Sequence, residues 1–160
     1  MFSTLPFFVY LIMASVDEML DKFEAFYADV ERYAMDVIFD LEGDLVEAIQ
    51  KQLWQGKDGY GHSLAPYAWE EYAEFKLTLN PLGVTDLKFH GFFYDAMRLQ
   101  ILSNKSFSIV SDDRKFEDLM AKYGYDTMIV SEDNIVLLRK EKFNPLFIQR
   151  LAEYTGVGTA

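Results

Sequence analysis

From Val16 to Leu53 the apolar residues return every three or four positions: Val16, Met19 and Leu20, Phe23, Phe26 and Tyr27, Val30, Ala34, Val37 and Ile38, Leu41, Leu45, Ile49 and Leu53. That is the period of an amphipathic helix. Ser15 stands where an N-cap belongs, with Glu18 three residues on, which is a capping box. Asp17 and Glu18 fall in the first turn, where the helix dipole favours anions. The pattern predicts one helix of about 38 residues, about 57 Å long at 1.5 Å per residue. Such a helix either breaks near Gly43 or projects beyond its own domain.

Residues 55–63 (QGKDGYGHS) hold three of the nine glycines and read as a loop. Pro66 suits the first turn of a second helix that ends near Asn80-Pro81. Thr85-Asp86 is a capping pair for a short helix around Leu87 to Met97. The period then changes to that of strands. Arg98 to Leu102 and Ser106 to Val110 form a hairpin about Ser103-Asn104-Lys105. Ser111 or Asp112 caps a helix through Lys122, closed by Gly124. Tyr125 to Val130 and Ile135 to Arg139 are a second candidate hairpin around Ser131 to Asn134. Asn144 and Pro145 then start a helix to about Tyr154, closed by Gly156, with a fraying tail. The predicted class is α+β: a long N-terminal helix and an antiparallel sheet of about four strands, packed with two to four further helices.

Residues 15–160 read as a single domain of ordinary size. Residues 1–14 read as an apolar tail or a mis-annotated start, with translation beginning at Met13. A strand or apolar docking segment and a signal or membrane element are the other readings of Leu5 to Met13. That run is too short to span a bilayer, which takes about 20 residues, and Met1 to Thr4 lacks the basic start of a signal.

Composition narrows the function. The chain has no cysteine, which excludes disulfides, a thiol nucleophile and cysteine-bearing metal sites. The formal net charge of −11 opposes nucleic-acid binding. Residues 17–47 carry eleven carboxylates against Lys22 and Arg32, so nearly all the excess acid lies on the first helical segment. Glu42, Asp44 and Glu47 are its candidates for contact with a basic partner.

In the glycine loop, Asp58, Tyr60 and His62 could line a small site, but calcium-loop, phosphate-loop and dinucleotide spacings are all missing. A partner-contacting loop is the simpler reading. No nucleophile elbow accompanies His62 or His90. Glu70, Glu71 and Glu74 read as a solvated helix face, and Tyr67, Trp69, Tyr72 and Phe75 mostly as core. Phe92, Phe93 and Tyr94 belong to a stretch more aromatic than one buried face requires, which makes them partner-contact candidates. No catalytic set, cofactor motif or metal-ligand spacing emerges.

The order of these features resembles the virion-morphogenesis or tail-completion proteins of tailed bacteriophages. The likeness runs over about residues 45–155. It is carried by Gly56-Lys57-Asp58-Gly59-Tyr60-Gly61, by Leu64-Ala65-Pro66-Tyr67-Ala68, by Tyr72 and Lys76, by Asp86-Leu87-Lys88-Phe89-His90-Gly91-Phe92-Phe93-Tyr94-Asp95-Ala96-Met97, and by Asp112-Asp113-Arg114-Lys115 leading to Tyr123-Gly124. Ala65 stands where the family has a tryptophan, and His90 where it often has a threonine. The resemblance implies a non-catalytic structural protein at the head–tail junction or tail end. Its partners would be further copies of itself in a homo-oligomeric ring and neighbouring virion proteins. It would sit in the virion, and in the host cytoplasm during assembly, without a membrane or sequence-specific nucleic acid. The alternative reading is a small acidic inhibitor, DNA-mimic-like, that binds a basic host protein surface.

Overall fold

The structure, a computed structural model, describes residues 5–156, with side chains from Val16 onward. Residues 1–4 and the expected fraying beyond Gly156 lie outside that range, as do the side chains on which the reading of residues 1–14 depends. Among the described residues no helix is long and apolar enough to cross a membrane.

The single long helix is three helices: α1 (Leu5–Ala28), α2 (Val30–Asp40) and α3 (Glu42–Trp54). Ser15 lies inside α1 and not at its start. The breaks fall at Asp29 and Leu41, where ψ moves to 15° and 11°. Gly43, the expected break, lies within α3. The reason is geometric. Val37, Leu41, Leu45, Ile49 and Leu53 are all core residues spaced by four. On a straight helix of 3.6 residues per turn such a row drifts about 40° around the axis at each step. Changing axis at Leu41 lets one row keep facing one core.

Against this row pack Phe93, Tyr94, Met97, Leu99, Ile109, Met120, Met128 and Val130. The first hairpin forms as expected, with β1 (Met97–Ser103) antiparallel to β2 (Ser106–Ser111). Its inward pair is Leu99 and Ile109, directly opposed. α6 (Phe116–Tyr123) ends at Gly124, whose φ of 86° favours glycine.

The second hairpin does not form, and the described sheet has two strands. Tyr125–Met128 is a 3-10 turn and Glu132–Leu138 is a helix, α7. Glu132 and Asp133 sit in its first turn, after Ser131 in an extended conformation. α7 runs on through a π-helical turn (Arg139–Phe143) into α8 (Asn144–Thr155). Asn144 is therefore interior to a continuous helical run and not a cap. Pro145 has no N–H to give the preceding turn, and the widened π turn directly before it accommodates that loss. The α+β class stands, with more helix and less sheet than the sequence pattern predicts.

A second cluster fixes the end of α1. Phe26 is buried, stacked on Tyr33 at 4.5 Å and edge-on to Phe147 at 5.7 Å. Upstream of it, every side chain from Val16 to Lys22 is exposed, so this stretch of α1 stands clear of the core.

Candidate interaction site

Between Pro66 and Tyr123 the chain builds a groove of about 540 Å³. The loop before α4 (Glu70–Leu79), α4 itself and the stretch through α5 (Phe92–Asp95) supply one side. Tyr67 meets Tyr72 edge-on at 4.9 Å, Tyr72 lies 6.1 Å from Phe89, and Phe89 contacts the His90 ring at 4.0 Å. Trp69 and Phe92 stand 75% and 68% exposed on the same groove. The expected short helix from Leu87 to Met97 shrinks to α5, because the segment before it is committed to a buried ion pair.

That pair is Lys76 and Asp86. Lys76 projects from α4 with 2% of its side chain exposed, and Asp86 is fully buried. Lys76 Nζ donates to Asp86 Oδ1 at 2.7 Å and also to the Lys88 carbonyl. Asp86 further accepts from Asn80 Nδ2 at 3.0 Å, the Tyr67 hydroxyl at 3.1 Å and the Lys88 N–H at 3.0 Å. The Tyr94 hydroxyl donates to the Asp86 carbonyl at 2.5 Å. Burial pushes the Tyr67 and Tyr94 hydroxyls well up, and the Asp86 charge adds to the shift, so both stay protonated donors. Leu87, held between these bonds, has φ of 56°, the only left-handed non-glycine among the described residues. Strain of this kind persists where surrounding bonds over-determine the backbone. With both members buried and satisfied, the pair is a clasp beneath the groove.

The other side of the groove is basic. Arg114, Lys115 and Lys122 line it, Lys88 adds a fourth cation from the first side, and the groove's one carboxylate, Asp113, accepts the Lys115 N–H at 2.7 Å. Among the described residues eight of the fifteen Lys and Arg side chains form ion pairs, and these four are among the seven that form none. In a chain of net charge −11, a groove of formal charge +3 beside aromatic rings is fitted to an anionic, partly apolar group. No three His, Asp or Glu side chains among the described residues converge as metal ligands.

The structure disperses the residues singled out from sequence. Asp58 closes its own loop: Oδ1 accepts the N–H groups of His62 at 2.8 Å and Tyr60 at 2.9 Å, and Oδ2 meets His62 Nδ1 at 3.1 Å. Burial pushes this carboxyl up, but those hydrogen bonds together outweigh it and hold Asp58 below the usual carboxylate range. Tyr60 and His62 are exposed on that loop, away from the groove lining. Phe92 lines the groove and is exposed, Phe93 is buried in the core with an edge on the groove, and Tyr94 turns into the core. Glu42 accepts the Leu99 N–H at 2.8 Å, Asp44 pairs with Lys142 at 3.5 Å, and Glu47 with Lys51 at 2.7 Å. Trp69 and Phe75, expected mostly in the core, are exposed. Sequence reasoning missed the Lys76–Asp86 clasp and the basic groove. Arg114-Lys115 was the available signal, a basic pair in an acidic chain.

Architecture and groove together define an α+β chain with an aromatic, basic groove between α4 and α6. No known protein family matches the chain, and neither a curated protein nor a solved structure does.

Proposed function

We propose that this chain is a non-catalytic assembly subunit of a tailed-phage virion, acting at the head–tail junction or tail end by joining copies of itself head to tail. The observation that carries the reading is the stretch from Val16 to Lys22 of α1, exposed at every side chain although Val16, Met19 and Leu20 are apolar. A helix that leaves such residues in water gains by finding a partner surface. Phe75, Leu77, Leu79 and Leu82, on and just after α4, are exposed as well. Contacts that use one surface as donor and a different one as acceptor close into rings when their rotation permits. The resemblance over residues 45–155 supports the place in the virion, with neighbouring virion proteins as further partners.

The second reading, an acidic inhibitor of a basic host protein, keeps less support. Glu42, Asp44 and Glu47 are engaged within the chain, which leaves Asp17, Asp21 and Glu24 as stripe residues without ion pairs among the described residues.

Sedimentation velocity over a wide concentration range, with electron microscopy of the fastest species, tests the assembly reading. Closed oligomers are expected. A chain that stays monomeric at the highest attainable concentration overturns the reading.

A further inference from the structure

Two surfaces of this molecule are uncommitted, and they are opposite in character. α1 offers Asp17, Asp21 and Glu24, none in an ion pair among the described residues, beside exposed Val16, Leu20 and Tyr27. At about 100° per residue, Asp17, Asp21 and Glu24 fall in one row along the helix, and Val16, Leu20 and Tyr27 in the adjacent row. The groove has the complementary pair of rows, with Tyr72, Phe89 and Phe92 on one side and Arg114, Lys115 and Lys122 on the other.

We propose that the acidic, apolar stretch of α1 from Val16 to Tyr27 docks in the basic aromatic groove of a second copy of this chain. This rests on the assembly reading above and assigns its two contacting faces. Charge complementarity selects the occupant. Three carboxylates that form no ion pair among the described residues would meet three bases that form none, and in the free chain all six side chains are exposed to water. The groove volume suits a few side chains of an approaching helix rather than the whole helix. The occupant is the α1 of another copy, because the same chain's Val16 to Lys22 is exposed and its Phe26 is tied to Phe147 and Tyr154 of α8. The contact uses different faces on the two subunits, which makes it head to tail.

Reciprocal charge reversal on the full chain tests this. One variant carries Arg114→Glu, Lys115→Glu and Lys122→Glu; the other carries Asp17→Lys, Asp21→Lys and Glu24→Lys. All six positions are exposed, and circular dichroism verifies that each variant folds. Wild-type assembly is expected to weaken with added salt. Each variant alone is expected to associate at least about 100-fold more weakly, because like charges then face each other. An equal mixture of the two variants is expected to assemble again, since each then presents a complement to the other. Wild type that assembles while the groove variant assembles equally well overturns the inference and leaves the assembly reading standing. A mixture that stays monomeric also overturns it. Wild type that never assembles sinks the assembly reading itself.

Discussion

Lys76 Nζ and Asp86 Oδ1 lie 2.7 Å apart, with side chains 2% and 0% exposed, the one fully buried ion pair among the described residues. The pair ties α4 to the segment that forms one wall of the groove, so the shape of that wall depends on a charge being matched inside the protein. Removing one partner leaves the other charged and dry, which costs far more than a surface pair is worth.

Lys76→Met is accordingly expected to destabilise the fold by about 3–5 kcal/mol, the usual cost of an uncompensated buried charge. Asp86→Asn should cost a similar amount, since Asn80, Tyr67 and Lys76 all donate to this carboxylate. Denaturation with urea measures both. In a double-mutant cycle the combined loss should fall well short of the sum, because the second change removes a charge already left without its partner.

Three glycines separate three physical roles. Gly59 does not adopt a positive φ, but a Cβ there would lie 2.5 Å from Ile129 Cβ and 2.6 Å from the Ile129 carbonyl oxygen. Gly59→Ala therefore forces backbone apart and should cost about 1–3 kcal/mol. Gly61 has φ of 82° with open space around it, so Gly61→Ala meets only left-handed strain of about 1–2 kcal/mol. Gly43 lies in α3 with nothing near its missing Cβ, and Gly43→Ala should stabilise by up to about 1 kcal/mol. Thermal midpoints should rank Gly43→Ala above wild type and the other two below it.

These positions also mark what the sequence made legible. The β1–β2 hairpin was readable because Leu99 stands between Arg98 and Gln100, and Phe107 and Ile109 alternate with Ser106 and Ser108, across a short polar turn. The segment from Ile135 to Leu138 was not, because four consecutive apolar residues fit a buried strand as well as a helix. The stronger sign there was Ser131 followed by Glu132 and Asp133, a helix start. The breaks at Asp29 and Leu41 carry no glycine or proline, and the apolar period runs straight across them. In the candidate site, Phe92 was legible as an excess aromatic. Lys76 looked like any surface lysine on a helix, and its burial depends on Asp86 arriving from a loop ten residues away. The groove's bases come from separate segments that only the fold brings together.

The glycine loop gives a pH prediction. Asp58 is held below its ordinary range in the folded chain, so it contributes stability that is fully present above the unfolded value, about 3.9, and is lost as the pH falls through the lower folded value. Asp58→Asn removes this contribution. Wild type should exceed D58N in stability at neutral pH, and the gap should close as the pH drops below the ordinary aspartate range. Denaturant titrations across that acid window check it; a gap that stays constant down to the acid limit contradicts it.

Gln52 carries the last prediction. It is 5% exposed, donates from Nε2 to the Ile129 carbonyl at 3.0 Å and accepts the Ser131 N–H on Oε1 at 3.1 Å. One side chain thus satisfies both backbone groups of the irregular link between the 3-10 turn and α7. Gln52→Leu keeps the bulk but leaves a carbonyl and an N–H without partners, at a cost of about 1–3 kcal/mol for each group that stays buried. The loss should be local before it is global. Hydrogen exchange at the Ser131 amide should accelerate sharply, while the Leu45 amide, bonded to the Leu41 carbonyl at 3.0 Å, should exchange only with unfolding of the core. Equal acceleration at both amides would mean that Gln52 stabilises the whole core without pinning this link.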